Sequence, residues 1–300
     1  MRIILASHAH RRSLPSYRHA VFGEQIISII MNLELNSQQK MQERHRNRIL
    51  YFEDLSITCG KYFIPYIQQW HKVEAEMSVM EIGCGEGGNL LPFSKMGCRT
   101  TGVDIATCRI EEAKCYFEQH QARGEFIAED IFKLKDLEAK YDVIICHDVI
   151  EHINSKEVLL LKIGCWLKAD GVAFVSFPAW QMPFGGHQQI CRHRLLSHLP
   201  FIHLLPAGIY RTLLRLAGES PDTVAELLDI KQTGVTIERF ERQAHAARLS
   251  ILHRQLWLIN PHYQIKFKLP PRRLPSLISR LPYLRNFFCT TCFYILSPTE

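Results

Sequence analysis

Val79-Met80-Glu81-Ile82-Gly83-Cys84-Gly85-Glu86-Gly87-Gly88-Asn89-Leu90-Leu91 decides the fold of this chain. Residues suited to a short buried strand break into a glycine-rich turn, and an apolar stretch then opens a helix. Glycine has no Cβ, so the turn can take positive φ and sit against a ligand. Gly83-x-Gly85-x-x-Gly88 alone also fits a dinucleotide fingerprint, and the glycines leave the cofactor open.

Acids spaced along the next strands narrow the choice. Glu81 stands two residues before the first glycine. A second strand, 99–103, ends in Asp104, where an acid can accept hydrogen bonds from both ribose hydroxyls. A third runs into Glu129-Asp130-Ile131, placing an acid to reach an adenine amino group. The fourth, 141–146, leads into His147-Asp148-Val149-Ile150-Glu151-His152. In this order the series resembles class I S-adenosylmethionine-dependent methyltransferases, particularly their quinone-biosynthesis-like O-methyltransferase branch. The likeness covers residues 53–178 continuously and the C-terminal strands less clearly. It implies an α/β fold, a doubly wound Rossmann-like sheet of seven strands. It also implies S-adenosyl-L-methionine as cofactor, with contacts at Glu81, Gly83, Cys84, Gly85, Gly87, Asp104, Ile105, Asp130, Ile131 and His147. On the residues alone, a nucleotide-binding α/β domain with another cofactor is the alternative.

Strands alternating with helices between residues 78 and 178 argue for a parallel sheet covered on both faces. Right-handed crossovers put every strand's carboxyl end on one rim, so acids scattered in sequence converge there. Five regions are expected. Residues 1–36 form a poorly patterned extension, with Met31 an alternative start. Residues 37–77 form a helical cap, either a lid over the cofactor or ordinary packing. Residues 78–179 are the cofactor-binding core. Residues 180–234 are a helical insertion after the fifth strand. Residues 235–300 hold a helix and two closing antiparallel strands, with a basic insertion at 261–286 between them. Both insertions are expected to project near the rim and face the substrate.

The chain has 300 residues, 47% of them hydrophobic, enough for a full core, and no apolar run of bilayer-spanning length. Its ten cysteines lack paired metal spacing apart from Cys289-x-x-Cys292, which has no second pair, and Cys98, Cys146 and Cys165 fall in expected buried elements, a pattern that reads as free thiols in a reducing cytoplasm and not as a disulfide scaffold. The net charge of +6 is uneven: residues 1–179 carry 21 basic and 23 acidic side chains, residues 180–300 carry 15 and 7. A basic second half suits anionic partners. In 270–288 arginine alternates with Leu, Ile, Tyr and Phe, the pattern either of a packed insertion or of peripheral contact with a membrane's inner face.

Transfer of a sulfonium methyl is an in-line displacement, so the protein's task is to position the acceptor and, for a hydroxyl, to take its proton. Asp148-x-x-Glu151-His152 would place three bases or ligands within one helical turn. The motif resembles the Glu-x-x-Glu-His signature of metal-assisted O-methyltransferases, with Asp in place of the first Glu. Those enzymes add a histidine from beyond the fifth strand, and His187 stands at a comparable place. The resemblance thus implies catalytic roles for Glu151, His152 and His187. It also implies a divalent site, for instance for Mg2+, at Asp148, Glu151, His152 and His187. A metal-free base, or packing alone, stays open. Gly185-Gly186 signals a close backbone approach or a hinge.

The function expected is O-methylation of a glycan, a lipid-linked molecule or another anionic small-molecule acceptor. An RNA methyltransferase is the rival enzyme, ranked lower because no RNA-binding module is visible. A cofactor-binding interaction protein docking through its basic C-terminal part is the rival outside enzymes.

Overall fold

The structure is a computed structural model that describes residues 47–135 and 139–299. The expected N-terminal extension, its alternative start and the first part of the cap lie outside the described residues.

Helix α1 (Arg48–Thr58) passes through a wide π-turn (Cys59–Phe63) into α2 (Ile64–Ile67). The core follows as β1 (Ser78–Ile82), α3 (Leu90–Lys95), β2 (Arg99–Asp104), α4 (Thr107–Gln119), β3 (Glu125–Ala128), β4 (Tyr141–His147), α5 (Lys156–Trp166) and β5 (Leu167–Phe177). The first insertion carries α6 (Arg194–His198), α7 (Ala207–Leu216) and α8 (Pro221–Thr233). Then come α9 (Ile237–Ala246), β6 (Leu249–Ile259), α10 (His262–Phe267), β7 (Arg272–Arg273), α11 (Ser276–Ser279) and β8 (Thr291–Pro298).

The strands form one sheet in the order β3-β2-β1-β4-β5-β8-β6-β7. Strands β1 to β5 pair in parallel, and β8 is antiparallel to both β5 and β6. The sheet has eight strands where seven were expected. The extra one is the pair Arg272–Arg273, which zips onto the free edge of β6. A two-residue strand has no pattern of alternation, so nothing in the sequence marks it. A second difference is at Asp170-Gly171, a dipeptide that ordinarily marks a turn. Instead β5 starts at Leu167, and these residues bulge out where the register to β4 shifts between Tyr141 and Val143.

Side-chain alternation along the strands builds two cores. Met80, Ile82, Ile144, Cys146 and Val175 pack toward α5 and α9. Val79, Val143, Ile145 and Phe174 pack toward α1, α3 and α4. The first insertion has a small core of its own around Tyr210, Leu214 and Leu227. Register fixes where the insertions emerge. Phe177 pairs with Cys292, and Trp257 pairs with Thr291, so the ends of β5 and β6 lie level at one rim. The insertions that follow them both start there, as expected.

Candidate functional site

Gly83, Gly85 and Gly87 all have positive φ (66°, 51° and 82°). At Gly83 the need for glycine is double, because a Cβ would overlap Val149 Cγ2 from the loop after β4. The turn is fixed by Asp104, whose Oδ2 accepts from Gly85 N at 2.9 Å and whose Oδ1 accepts from Ala106 N at 2.8 Å. Asp104 therefore joins the first two strand tips.

Glu81 is buried, accepts from Asn89 Nδ2 at 2.7 Å through Oε1, and leaves Oε2 without a partner. Burial pushes its carboxyl up to about 8, Asn89 opposes this, and the nearby Asp104 charge adds to it. Asn89 was missed by motif reasoning, although it stands in the quoted stretch. Ile105 is 76% exposed at the rim, while Ile131 and Cys84 are buried beneath it. Asp130 caps its own turn, its Oδ1 accepting from Phe132 N at 2.9 Å. His147 shares Nδ1 with Ser176 Oγ at 2.6 Å, and its ring packs edge-on against Phe63 of the π-turn.

Helix α1 lies over this loop. A Cβ on Gly88 would be 2.6 Å from Phe52 O, and Arg48 reaches Glu86 at 3.8 Å and Glu112 at 2.7 Å. Tyr51, on the same helix, has its phenol pushed up by burial and by the charges of Asp148, Glu86 and Glu81. Its place in the mouth had no sequence signal beyond a helical apolar spacing.

Beyond β4 the expected helical turn is a 3-10 turn, Ile150–His152, and Asp148 precedes it at φ 53°. That left-handed residue breaks the helical spacing. Glu151, His152 and His187 come together with donor atoms within 4.8 Å of one another, and Asp148 is not among them. Asp148 faces His147 instead, Oδ1 to Nδ1 at 3.5 Å. The expected four-residue set is corrected to three.

The rings of His152 and His187 meet edge-on, centroids 5.0 Å apart. Both carboxyl oxygens of Glu151 are buried without a partner, and burial with the Asp148 charge raises its pKa well above the usual range. Burial, with His152 and His203 nearby, lowers His187 to about 4. His152 is lowered too, mainly by desolvation. At neutral pH the His187 imidazole is uncharged. The residue before it, Gly186, packs on a residue that motif reasoning left unassigned, His203. His203 Nε2 donates to Trp180 O at 2.8 Å, and a Cβ on Gly186 would overlap the His203 side chain. A Cβ on Gly185 would overlap Trp180 O. The glycine pair thus serves close packing of the chain on itself.

A switch-point cleft in a doubly wound sheet, with acids on successive strand tips, defines a nucleoside-cofactor-binding α/β protein. A family model described as a methyltransferase domain matches residues 61–218. The ubiquinone biosynthesis O-methyltransferases of Rickettsia canadensis and Bartonella quintana are 28% identical over 116 residues and 30% over 121. Each alignment covers 39% of this chain and 49% of the relative, so the chain spans about half the length of the curated relatives it matches. A solved structure of PKMT2 from Rickettsia typhi in complex with AdoHcy superposes with TM-score 0.51 at 20% identity, over 81% of this chain and 54% of that one. The chain belongs to the methyltransferase-domain family, class I and S-adenosylmethionine-dependent.

Proposed function

We propose that the chain transfers a methyl group from S-adenosylmethionine to a hydroxyl of an anionic acceptor, a glycan, a lipid-linked molecule or another small molecule. The observation that supports it most is the orphaned Glu81 Oε2, buried beside the left-handed glycine loop. A buried carboxyl without a partner is costly, and the ammonium of an amino-acid moiety satisfies it. Asp104, Asp130, Ile105 and Ile131 would hold the adenosine. The AdoHcy in the Rickettsia typhi relative supports the same cofactor. Bound cofactor supplies an electrophilic methyl, and the chain's own residues do the rest. The glycine loop and α1 orient it and exclude water, and the His152–His187 pair takes the acceptor's proton.

The partnerless oxygens of Glu151 favour a second occupant of that cluster, a divalent cation. Glu151, His152 and His187 would hold it, and it would acidify the acceptor hydroxyl. One carboxylate and two imidazoles suit a transition-series ion and fit Mg2+ poorly, since Mg2+ prefers oxygen donors.

Labelled methyl donor incubated with fractionated cell extract tests both points. Label should enter an acidic glycan, lipid or small-molecule fraction. Label in RNA, or in none, would overturn the acceptor class. After chelator treatment, Mn2+ or Co2+ should restore any lost turnover better than Mg2+ does.

A further inference from the structure

Between Glu241 and Glu300 the chain has no acidic side chain and nine lysines and arginines. Within this stretch, residues 272–288 present an unusual surface. Leu277, Leu281, Tyr283, Leu284, Phe287 and Phe288 are all exposed, Leu277 by 75% and Tyr283 by 64%. Arg272, Arg273 and Arg280 stand exposed around them, and among the described residues no carboxylate lies within salt-bridge distance of the three.

The loop is not left to find its own conformation. Glu238 on α9 accepts from Tyr283 N at 2.9 Å and Arg285 Nε at 2.9 Å through Oε1, and from Asn286 Nδ2 at 2.7 Å through Oε2. Asn286 Oδ1 in turn accepts from Ile237 N at 2.9 Å, and Arg285 reaches Glu241 at 3.2 Å. Arg285 and Asn286 are buried, while the six apolar side chains around them stay exposed. A flexible loop would fold its apolar side chains under; this one is pinned so that it cannot. Phe287 also meets Phe201, so the surface continues onto the first insertion at the rim.

We propose that this face docks on a bilayer containing anionic phospholipid. Six apolar side chains, two of them phenylalanine and one tyrosine, suit the headgroup–acyl boundary, and the arginines complement the surface charge. Charge chooses the partner: an uncharged apolar surface would suit a second copy, whereas unpaired arginines around this one would repel their own symmetry mates. Among the described residues no helix is long and apolar enough to cross a membrane, so the contact is at the surface. The proposal does not rest on methyl transfer.

The test is co-sedimentation of the full chain with phosphatidylcholine vesicles, with and without phosphatidylglycerol. Binding is expected only to the anionic vesicles and should weaken with salt. Arg272→Gln with Arg273→Gln should weaken partition about 30-fold, at roughly 1 kcal/mol per cation. Leu277→Ser with Tyr283→Ser should abolish it. All four residues are exposed, so thermal stability and cofactor affinity should stay unchanged in both variants, which separates docking from misfolding and from catalysis. Equal binding to neutral vesicles, no binding at all, or unaltered partition of either variant would overturn the proposal. So would a dimer in light scattering that Leu277→Ser with Tyr283→Ser dissolves.

Discussion

At Glu81 one buried carboxyl meets opposing demands: a low-polarity site holds its proton on, and a cationic ligand would take it off. Its native pKa of about 8 lies above the unfolded value of about 4.5. The ligand-free native state therefore keeps a proton that the unfolded chain has lost, and stability falls as pH rises from about 4.5 to about 8. Glu81→Gln should remove that loss, worth up to about 5 kcal/mol at pH 8. Denaturant melts at pH 5.5 and pH 8 should show a smaller gap for the variant than for the parent. Asp104 and His187 divide the labour differently. Asp104→Ala removes two acceptors that shape the glycine loop, so cofactor affinity by calorimetry should drop about tenfold or more. His187→Ala should change it by less than about threefold while turnover collapses. Equal losses of affinity would contradict the division.

Among elements, the segment from Pro178 to Leu205 governs whether the candidate base is in place. It makes two tight approaches, Gly185 on Trp180 and Gly186 on His203, and holds His187 at φ 55°. Gly186→Ala should cost about 1–3 kcal/mol by overpacking and should depress turnover more than cofactor affinity. His203→Ala in the same chain should return part of that stability, a coupling that a double-mutant thermal cycle measures. Without coupling, the packing of Gly186 on His203 is not what fixes the segment. The glycine pair was legible as a close approach, but its neighbour was not. His203 is sixteen residues past His187, in a stretch of no clear period.

Over the whole molecule, α9 ties the C-terminal insertion to the core. Its Glu238 gathers donors from Tyr283, Arg285 and Asn286; burial works against its charge, and the hydrogen bonds from the Tyr283 amide and Asn286, with a smaller contribution from the Arg285 charge, hold it below the usual carboxylate range. Asn286→Ala leaves the Ile237 amide and one carboxylate oxygen short of a partner inside the protein. It should cost about 2–4 kcal/mol in chemical denaturation and speed proteolysis within 272–288. Asn286→Asp, which keeps the acceptor but sets a second acid beside Glu238, should not restore full stability. Unchanged melting for Asn286→Ala would show that the Asn286 hydrogen bonds are not what holds the loop.

The sequence by itself determined the sheet and its strand tips. Strand period, glycine turn and crossover handedness are local rules, so acids at strand tips have one place to go, and Glu81, Asp104 and Asp130 were readable as they stand. Tertiary structure alone decided what lies across the cleft. Whether His187 meets His152 depends on how the insertion packs, and Asp148 is lost from their set through a single left-handed residue. The edge strand Arg272–Arg273 and the inward turn of Arg285 and Asn286 are of the same kind. Each is fixed by partners far away in the chain, and no periodicity carries that information.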